Sequence, residues 1–251
     1  MLAQSFIQVL ALITLAAFGS LSHVNAQEFP PKKTITIVVG FAPGGSADSS
    51  ARIIAKKLSE DLGQNVIVDN KPGAGGNIAH AYTANATPDG SVILFGSIGP
   101  LSIAPHLMKL PYDPQKDLAP ITMGVTFPNV LVVIPELGVK SLKEYIAMAK
   151  KNPGKITFAS TGSGSASHLQ GELLNVRADI DTVHVPYKGG SPAMVDLLGG
   201  RVSSYYSALA TADPYIKNGK LIPIATTGLK RAPTRVATSG TAGSTRFRCW
   251  R

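Results

Sequence analysis

A glycine-rich turn between a predicted strand and a predicted helix contains the first residues that could bind a ligand. The strand is Ile35–Val39, and the residues Phe41-Ala42-Pro43-Gly44-Gly45-Ser46-Ala47-Asp48 follow it. Glycine lets the backbone approach a ligand closely, and the N–H groups and dipole at the start of a helix attract a carboxylate or phosphate. Asp48 would repel an anion, so we expect it to cap the helix or to orient the N–H donors. The alternative is a tight corner that binds nothing.

A second glycine-rich turn, Pro72-Gly73-Ala74-Gly75-Gly76-Asn77, follows the predicted strand Val66–Val68. It does not match the G-x-G-x-x-G pattern of dinucleotide-binding turns, because Ile78 stands where the third glycine would be. Taken alone, this turn is a weak indication of a binding site.

A serine-rich turn, Ser160-Thr161-Gly162-Ser163-Gly164-Ser165, follows the predicted strand Ile156–Ala159. Its hydroxyl and N–H groups would surround the start of another helix and could bind an anion. His168 lies about one turn into that helix, where it either reaches the turn or is a packed or capping histidine. Tyr187-Lys188-Gly189-Gly190 and Tyr205-Tyr206-Ser207 supply further polar groups at strand ends.

Ser46 is the residue through which the sequence could support catalysis. It lies in G-x-S-x-D, which departs in its last residue from the G-x-S-x-G turn of serine hydrolases, and no base is placed to activate it. A secreted serine hydrolase that uses Ser46 is therefore the alternative function. We find no H-E-x-x-H, no Cys/His metal spacing and no Walker motif, so the sequence predicts neither a metal nor a cofactor.

Predicted strands alternate with predicted helices, beginning with a helix over Ser49–Leu62. This alternation indicates a mainly parallel sheet, and a break near Pro128 divides the elements into two series and hence two lobes. In open parallel sheets, ligands bind beyond the carboxyl ends of strands, which is where the polar turns lie. Ser141-Leu142-Lys143-Glu144 is a capping-box pattern, and Ser191-Pro192 predicts an N-cap followed by proline at the first helical position.

The two ends of the chain differ from the rest. Phe6–Phe18 is an apolar run of signal-peptide length followed by small residues up to Ala26, so we expect export and cleavage; the alternative is an apolar N-terminal helix. From about Ala232 the periodicity is lost. Cys249 is the only cysteine, so an intrachain disulfide is impossible.

The net charge of +9 could suggest nucleic-acid binding, but its distribution opposes that function. Six of the 24 basic residues lie at or after Lys230, and the 18 that remain exceed the 15 acidic residues by only three. Adhesion to nucleic acid or acidic surfaces would therefore depend on the tail, and we expect no nucleic-acid partner.

Several ordered segments between Pro30 and Leu229 resemble the solute receptors of tripartite tricarboxylate transporters, also called the Bug family. The segments are FAPGGSAD, VDNKPGAGGNIA, DGSVILFGSIGPLSIAPHL, LPYDPQKDLAPIT, FASTGSGSASHLQGELL, VPYKGGSPAMVDLLGGRV and YIKNGKLIPIATTG. The resemblance implies a two-lobed α/β fold of the type II periplasmic-binding-protein class, with mainly parallel sheets and a small carboxylate in the cleft. It implies no metal or cofactor. The physiological partner would be a tripartite membrane permease, although many receptors resemble the family without an adjacent permease, and we expect a periplasmic monomer.

The resemblance and the residue pattern together give a domain prediction and a site prediction. We expect a signal peptide at 1–26, lobe one at 27–128 with 224–231 returning to it, lobe two at 129–223, and an aberrant basic tail at 232–251. The candidate ligand-binding residues are Phe41, Pro43, Gly44, Gly45, Asp48, Gly75, Gly76, Ser97, Ser160, Thr161, Gly162, Ser163, Gly164, Ser165, His168, Tyr187 and Ser207.

Two departures from the family pattern matter. Ser207 stands where the family usually has Asp or Asn, which bears on the identity of the ligand. The resemblance also stops near residues 230–233, and a truncated or frameshifted reading frame is the simplest account, with lobe one left incomplete.

Overall fold

The fold is taken from a computed structural model that describes residues 33–228. The predicted signal peptide and the basic tail lie outside the described residues. The strands are β1 (Ile35–Val39), β2 (Val66–Asn70), β3 (Val92–Phe95), β4 (Asn129–Val133), β5 (Thr157–Ser160), β6 (Val183–Pro186), β7 (Ser204–Ala208) and β8 (Ile222–Thr226). The α-helices are α1 (Ser46–Leu62), α2 (Asn77–Ala84), α3 (Ala104–Leu107), α4 (Leu142–Lys151), α5 (Ala166–Ala178), α6 (Gly190–Leu198) and α7 (Leu209–Lys217). Short 3₁₀ turns cover Ala74–Gly76 and Pro135–Leu137, and a π-helical turn covers Gly99–Ile103.

The strands form two sheets, one in each lobe. The first is parallel with strand order β2-β1-β3, and the second has the order β6-β5-β7-β4-β8. Strand β4 runs antiparallel to β7 and β8, whereas β5 is parallel to β6 and β7. The predicted fold class, a two-lobed α/β fold with mainly parallel sheets, is confirmed.

The second sheet is covered on both faces because β4 is apolar without interruption. Val130 and Val132 pack with helices α6 and α7 on one face, while Leu131 and Val133 pack with α4 and α5 on the other. An unbroken apolar run is typical of a strand in a sheet covered on both sides. In the first lobe, α1 packs against the buried strand β1.

An irregular segment before β4 runs along the first lobe. An ideal Cβ at Gly124 would lie 3.4 Å from Ile54 and 3.6 Å from Phe95. The segment exposes apolar side chains at alternate positions: Ile121 (77%), Met123 (81%), Val125 (42%) and Phe127 (36%). None of the eight described strands pairs with it.

Two predicted boundaries are corrected. Residues 224–226 were expected to return to lobe one, but they belong to β8, which pairs with β4 in the second sheet. Ser191 was expected to cap a helix, but α6 begins at Gly190 with Gly189 as its N-cap. Gly189 is at φ 149°, a backbone conformation that serine rarely adopts, and the hydroxyl of Ser191 donates to the carbonyl of Pro43 instead of capping the helix.

Within residues 33–228, no helix has both the length and the apolar character that crossing a membrane requires.

Candidate functional site

Asp48 organises the first-lobe turn through its carboxylate. Helix α1 begins at Ser46 with Gly45 as its N-cap, so Asp48 does not cap the helix. The buried carboxylate instead accepts hydrogen bonds from the N–H of Gly44 (2.9 Å), from Arg52 Nε (3.0 Å) and from Asn70 Nδ2 (2.9 Å). Burial alone would raise the pKa of Asp48, but these hydrogen bonds, led by that of Arg52, outweigh it and hold the pKa below its usual range.

A second group of predicted residues meets around Gly76 in the same lobe. An ideal Cβ at Gly76 would lie 3.1 Å from Pro100 Cγ, 3.4 Å from Phe41 Cζ and 3.5 Å from Ser97 Oγ. The hydroxyl of Ser97 is buried and has no hydrogen-bond partner among the described residues. A shielded hydroxyl that makes no hydrogen bond within the protein is unfavourable, so it marks a position where a ligand atom could bind.

Hydroxyl groups form a network under the second-lobe turn. Ser167 Oγ accepts the N–H of Thr161 (2.9 Å) and lies 3.0 Å from Ser165 Oγ. Ser165 is the N-cap of α5, and its Oγ accepts the N–H of His168 (3.3 Å). The turn therefore holds a fixed shape at the carboxyl end of β5.

Two histidines also contact this turn. Nδ1 of His168 accepts the N–H of Gly164 at 3.2 Å, and Nε2 of His184 lies 2.6 Å from Ser160 Oγ. His168 was predicted to reach the turn, and it does. His184 was not predicted, because a lone histidine between two valines of a strand carries no pattern that points to a site.

The turns of the two lobes meet in backbone contact. A Cβ at Gly75, which has φ 63°, would overlap the carbonyl oxygen of Ser163. A Cβ at Gly162 would lie 2.9 Å from the backbone of Gly75, and one at Gly99 would lie 2.9 Å from the carbonyl oxygen of Gly164. Real Cβ atoms essentially never approach other atoms under 3.0 Å, so glycine is needed on both sides for the lobes to come this close.

A second interlobe contact joins the turn after β1 to the start of α6. The N–H of Ala42 donates to the carbonyl of Lys188 (2.9 Å), and Ser191 Oγ donates to the carbonyl of Pro43 (2.8 Å). Gly44, at φ 82°, lies against the same serine, since its Cβ would be 3.1 Å from Ser191 Oγ. Ser191 was read as a helix cap, and its role between the lobes could not be seen in the sequence.

Two predicted ligand residues direct their hydroxyls elsewhere. Tyr187 donates to Asp196 Oδ2 (2.8 Å), and burial together with this carboxylate raises the pKa of Tyr187 to about 12. Ser207 is fully buried, and its hydroxyl donates to the carbonyl of Ala208 (3.1 Å). Both hydroxyls therefore donate to partners within the second lobe.

Ser46 gains no base from the fold. None of the four histidines between residues 33 and 228 makes a hydrogen bond to it. Within the same range there is no group of three or more His, Cys, Asp or Glu side chains that could hold a metal ion.

A groove of about 380 Å³ lies away from the turns. It is lined by Ile134, Pro135, Glu136, Leu198, Gly219 and Lys220. These residues surround the end of β4, which runs opposite to β5 and β7, so the groove is at the other edge of the second sheet.

The family model described as "Tripartite tricarboxylate transporter family receptor" matches residues 50–245. The match continues past residues 230–233, where we expected the resemblance to stop. The protein in the tcbD-tcbE intergenic region of Pseudomonas sp. strain P51 is 38% identical over 90% of this chain and 67% of its own length. Protein BugT of Bordetella pertussis is 39% identical over 85% of this chain and 66% of its own length. The chain thus spans about two thirds of the length of these relatives.

Solved structures of similar proteins have the same architecture. The periplasmic binding protein BugD is 39% identical with a TM-score of 0.77, over 81% of this chain and 68% of that one. MatC of Rhodopseudomonas palustris, solved with bound malate, is 32% identical with a TM-score of 0.78, over 85% of this chain and 74% of that one. Rpa4515 of R. palustris, solved with adipate, is 33% identical with a TM-score of 0.77, over 86% of this chain and 73% of that one.

Proposed function

Because the chain belongs to the tripartite tricarboxylate transporter receptor family, we propose that it is a periplasmic solute-binding receptor that captures a small carboxylate between its lobes for uptake. The observation that carries the proposal is the direct contact between the glycine- and serine-rich turns of the two lobes, Gly75 with Ser163 and Gly99 with Gly164. Turns at the carboxyl ends of strands are where open α/β sheets bind ligands.

The ligand class follows from what these turns offer. Backbone N–H groups at helix starts and the buried hydroxyl of Ser97 are donors suited to a carboxylate. Two similar structures contain malate and adipate, both of which are dicarboxylates. We therefore assign a small organic acid, with the carboxylate between the turn after β1 and the turn after β5.

The proposal extends to the setting of the receptor. Residues 1–26 would be a signal peptide that is removed on export, and the receptor would act in the periplasm as a monomer. It would deliver its ligand to a tripartite membrane permease. It would need no metal or cofactor and would carry out no reaction on its ligand.

A thermal-shift screen of organic acids tests the proposal. A ligand at about 100 times its Kd should add about 2.7 kcal/mol to the unfolding free energy. We expect malate, adipate or a related acid to raise the melting temperature, and the matched diamide to leave it unchanged because it lacks the charge. If no carboxylate raises the melting temperature of a folded sample, the proposal is wrong.

A further inference from the structure

We propose that His168 and His184 are positioning residues, a pair of neutral imidazoles that hold the Ser160–Ser165 turn in its carboxylate-binding shape and release it on acidification. This inference rests on the proposed function for its ligand, but the pair itself is defined by its contacts with the turn. Neither histidine has to touch the ligand for the effect.

The first contact runs from His184 through Ser160 to the backbone of the turn. Ser160 is fully buried, and its Oγ accepts the N–H of Gly162 at 3.0 Å and lies 2.6 Å from Nε2 of His184. The serine hydroxyl needs an acceptor for its own hydrogen, and Nε2 provides one only when it carries no proton. In the tautomer of His184 that leaves Nε2 without a proton, Ser160 donates to the ring while it accepts from Gly162, and an imidazolium would end this arrangement.

The second contact likewise needs an unprotonated ring nitrogen, here on His168. The N–H of Gly164 donates to Nδ1 of His168 at 3.2 Å, so this nitrogen must also be without a proton. Protonation would place an N–H of the ring against the N–H of Gly164. Gly164 is the residue whose carbonyl lies against Gly99 of the other lobe, so a shift at this point would disturb lobe contact.

The two rings are stacked, with centroids 4.0 Å apart and an angle of 27° between their planes. Two imidazolium ions at this distance would repel each other, which favours neutral rings. Burial, with the neighbouring His168, lowers the pKa of His184 to about 4. Two other titratable groups lie beside the pair: Glu172 of α5, 3.7 Å from Nε2 of His168, and Tyr206 of β7, whose ring contacts Phe158, the residue that stacks on His184.

Protonation has two opposite consequences for a bound anion. A positive imidazolium would attract a carboxylate, whereas loss of the two acceptors would displace the N–H groups of Gly162 and Gly164 from their present positions. We infer that the loss of the two acceptors changes ligand affinity more than the added positive charge does, because the N–H groups of Gly162 and Gly164 lie within the turn itself. Acid should therefore weaken binding.

The binding experiment compares the parent with the double variant His168→Asn/His184→Gln. The amide oxygens can accept at the positions of Nδ1 and Nε2 but do not titrate. Malate or adipate is the probe. Because the parent and the double variant are compared at the same pH, protonation of the ligand affects both Kd values equally and does not change their ratio. We expect Kd values within about threefold at about pH 7.5, and a parent weaker than the double variant by about tenfold at about pH 3, one unit below the pKa of His184.

Two further variants separate positioning from folding. His168→Ala should weaken binding about tenfold at about pH 7.5, and His168→Asn should restore it, because only the second keeps an acceptor for Gly164. The exposed His106→Asn should behave as the parent at both pH values. A parent that binds more tightly than the double variant in acid, or equal binding by the alanine and asparagine variants, would overturn the proposal.

A measurement without ligand keeps the inference separate from the proposed function. The amide resonances of Gly162 and Gly164 in the parent should shift together as the pH falls, and should not shift in the double variant. If no organic acid binds the parent, the proposed function fails while this titration still decides whether the pair holds the turn. Amide resonances that stay fixed in the parent would overturn the inference.

Discussion

The hydroxyl of Ser97 is shielded from water without a hydrogen-bond partner among the described residues. Such a group costs about 1–3 kcal/mol in the empty protein, and a ligand carboxylate could recover this cost. We expect Ser97→Ala to raise the unfolding free energy of the ligand-free protein by about 1 kcal/mol and to weaken carboxylate binding by about one to two decades in Kd.

Urea unfolding and calorimetry measure the two effects of Ser97→Ala separately. The exposed Ser102→Ala in the adjacent π-helical turn is the matched control and should change neither quantity. A variant that loses both stability and affinity would mean that Ser97 supports the fold instead of the ligand.

Gly75 and Gly63 form a second matched pair, since both have φ 63°. A Cβ at Gly63 would have no atom within 4 Å, whereas one at Gly75 would meet Ser163 of the other lobe. Alanine at either position should lower the unfolding free energy by about 1–2 kcal/mol through its left-handed backbone. Only Gly75→Ala should also weaken ligand binding, by about 1–3 kcal/mol, or roughly 5- to 150-fold in Kd, because the lobes cannot close.

Denaturant unfolding and calorimetry on these two glycine variants measure both effects. Equal binding by Gly75→Ala and Gly63→Ala would show that the contact with Ser163 is not needed when the ligand binds.

At the scale of elements, buried histidines beside the turns should make stability depend on pH. Burial lowers the pKa of His80 and of His184, the latter to about 4, relative to about 6.5 in the unfolded chain. The stability gained from neutral rings is present above about pH 6.5 and is lost as the pH falls toward 4. The ionised carboxylate of Asp48 contributes stability at a lower pH than the histidines do. Because its pKa in the folded protein lies below 3.8, this stability is lost only as the pH falls below about 3.8.

Thermal unfolding between about pH 7 and pH 3 should therefore show two separate declines. His184→Gln should reduce the upper decline to the part that His80 causes, and should leave the lower decline unchanged. An upper decline of equal size in this variant would contradict the assignment to His184.

The sequence predicted those elements whose pattern is local. The strand Ile35–Val39 has the predicted bounds, and the predicted strands Val66–Val68 and Ile156–Ala159 end within two residues of the observed β2 and β5, because β-branched and apolar runs bounded by turn residues identify buried strands. The three turns were found because they follow such strands. The contact between the lobes was not predictable, since the approach of Gly75 to Ser163 depends on the packing of elements far apart in the chain. The same holds for the pairing of His168 with His184.

At the scale of the molecule, the positive charge is concentrated near the C-terminus. Removing residues 232–251 deletes four arginines and no acidic residue, which lowers the net charge from +9 to +5. We expect this deletion to weaken non-specific adhesion to nucleic acid at low salt and to leave carboxylate affinity unchanged. Retention on heparin and calorimetry measure the two quantities, and an unchanged salt dependence would place the adhesive surface elsewhere.

The alternating apolar segment that ends at Phe127 should govern behaviour at high concentration. An extended run with exposed apolar residues and no strand partner within residues 33–228 is a template for pairing with another chain. Met123→Lys should therefore slow aggregation, measured by light scattering. Ile53→Lys is the matched control, because Ile53 is 72% exposed but lies on a helix. Equal protection by both substitutions would point to net charge instead of strand pairing.

The contact between the lobes is made largely by main-chain atoms, with consequences for engineering. The atoms that bring the lobes together belong to Gly75, Gly99 and Gly162 and to the carbonyls opposite them, whereas hydroxyls such as that of Ser97 are available for recognition. A library that varies the recognising side chains and keeps the three glycines can change the preferred acid without rebuilding the contact between the lobes. A pair of fluorophores, one on each lobe, would then report many different acids from one scaffold.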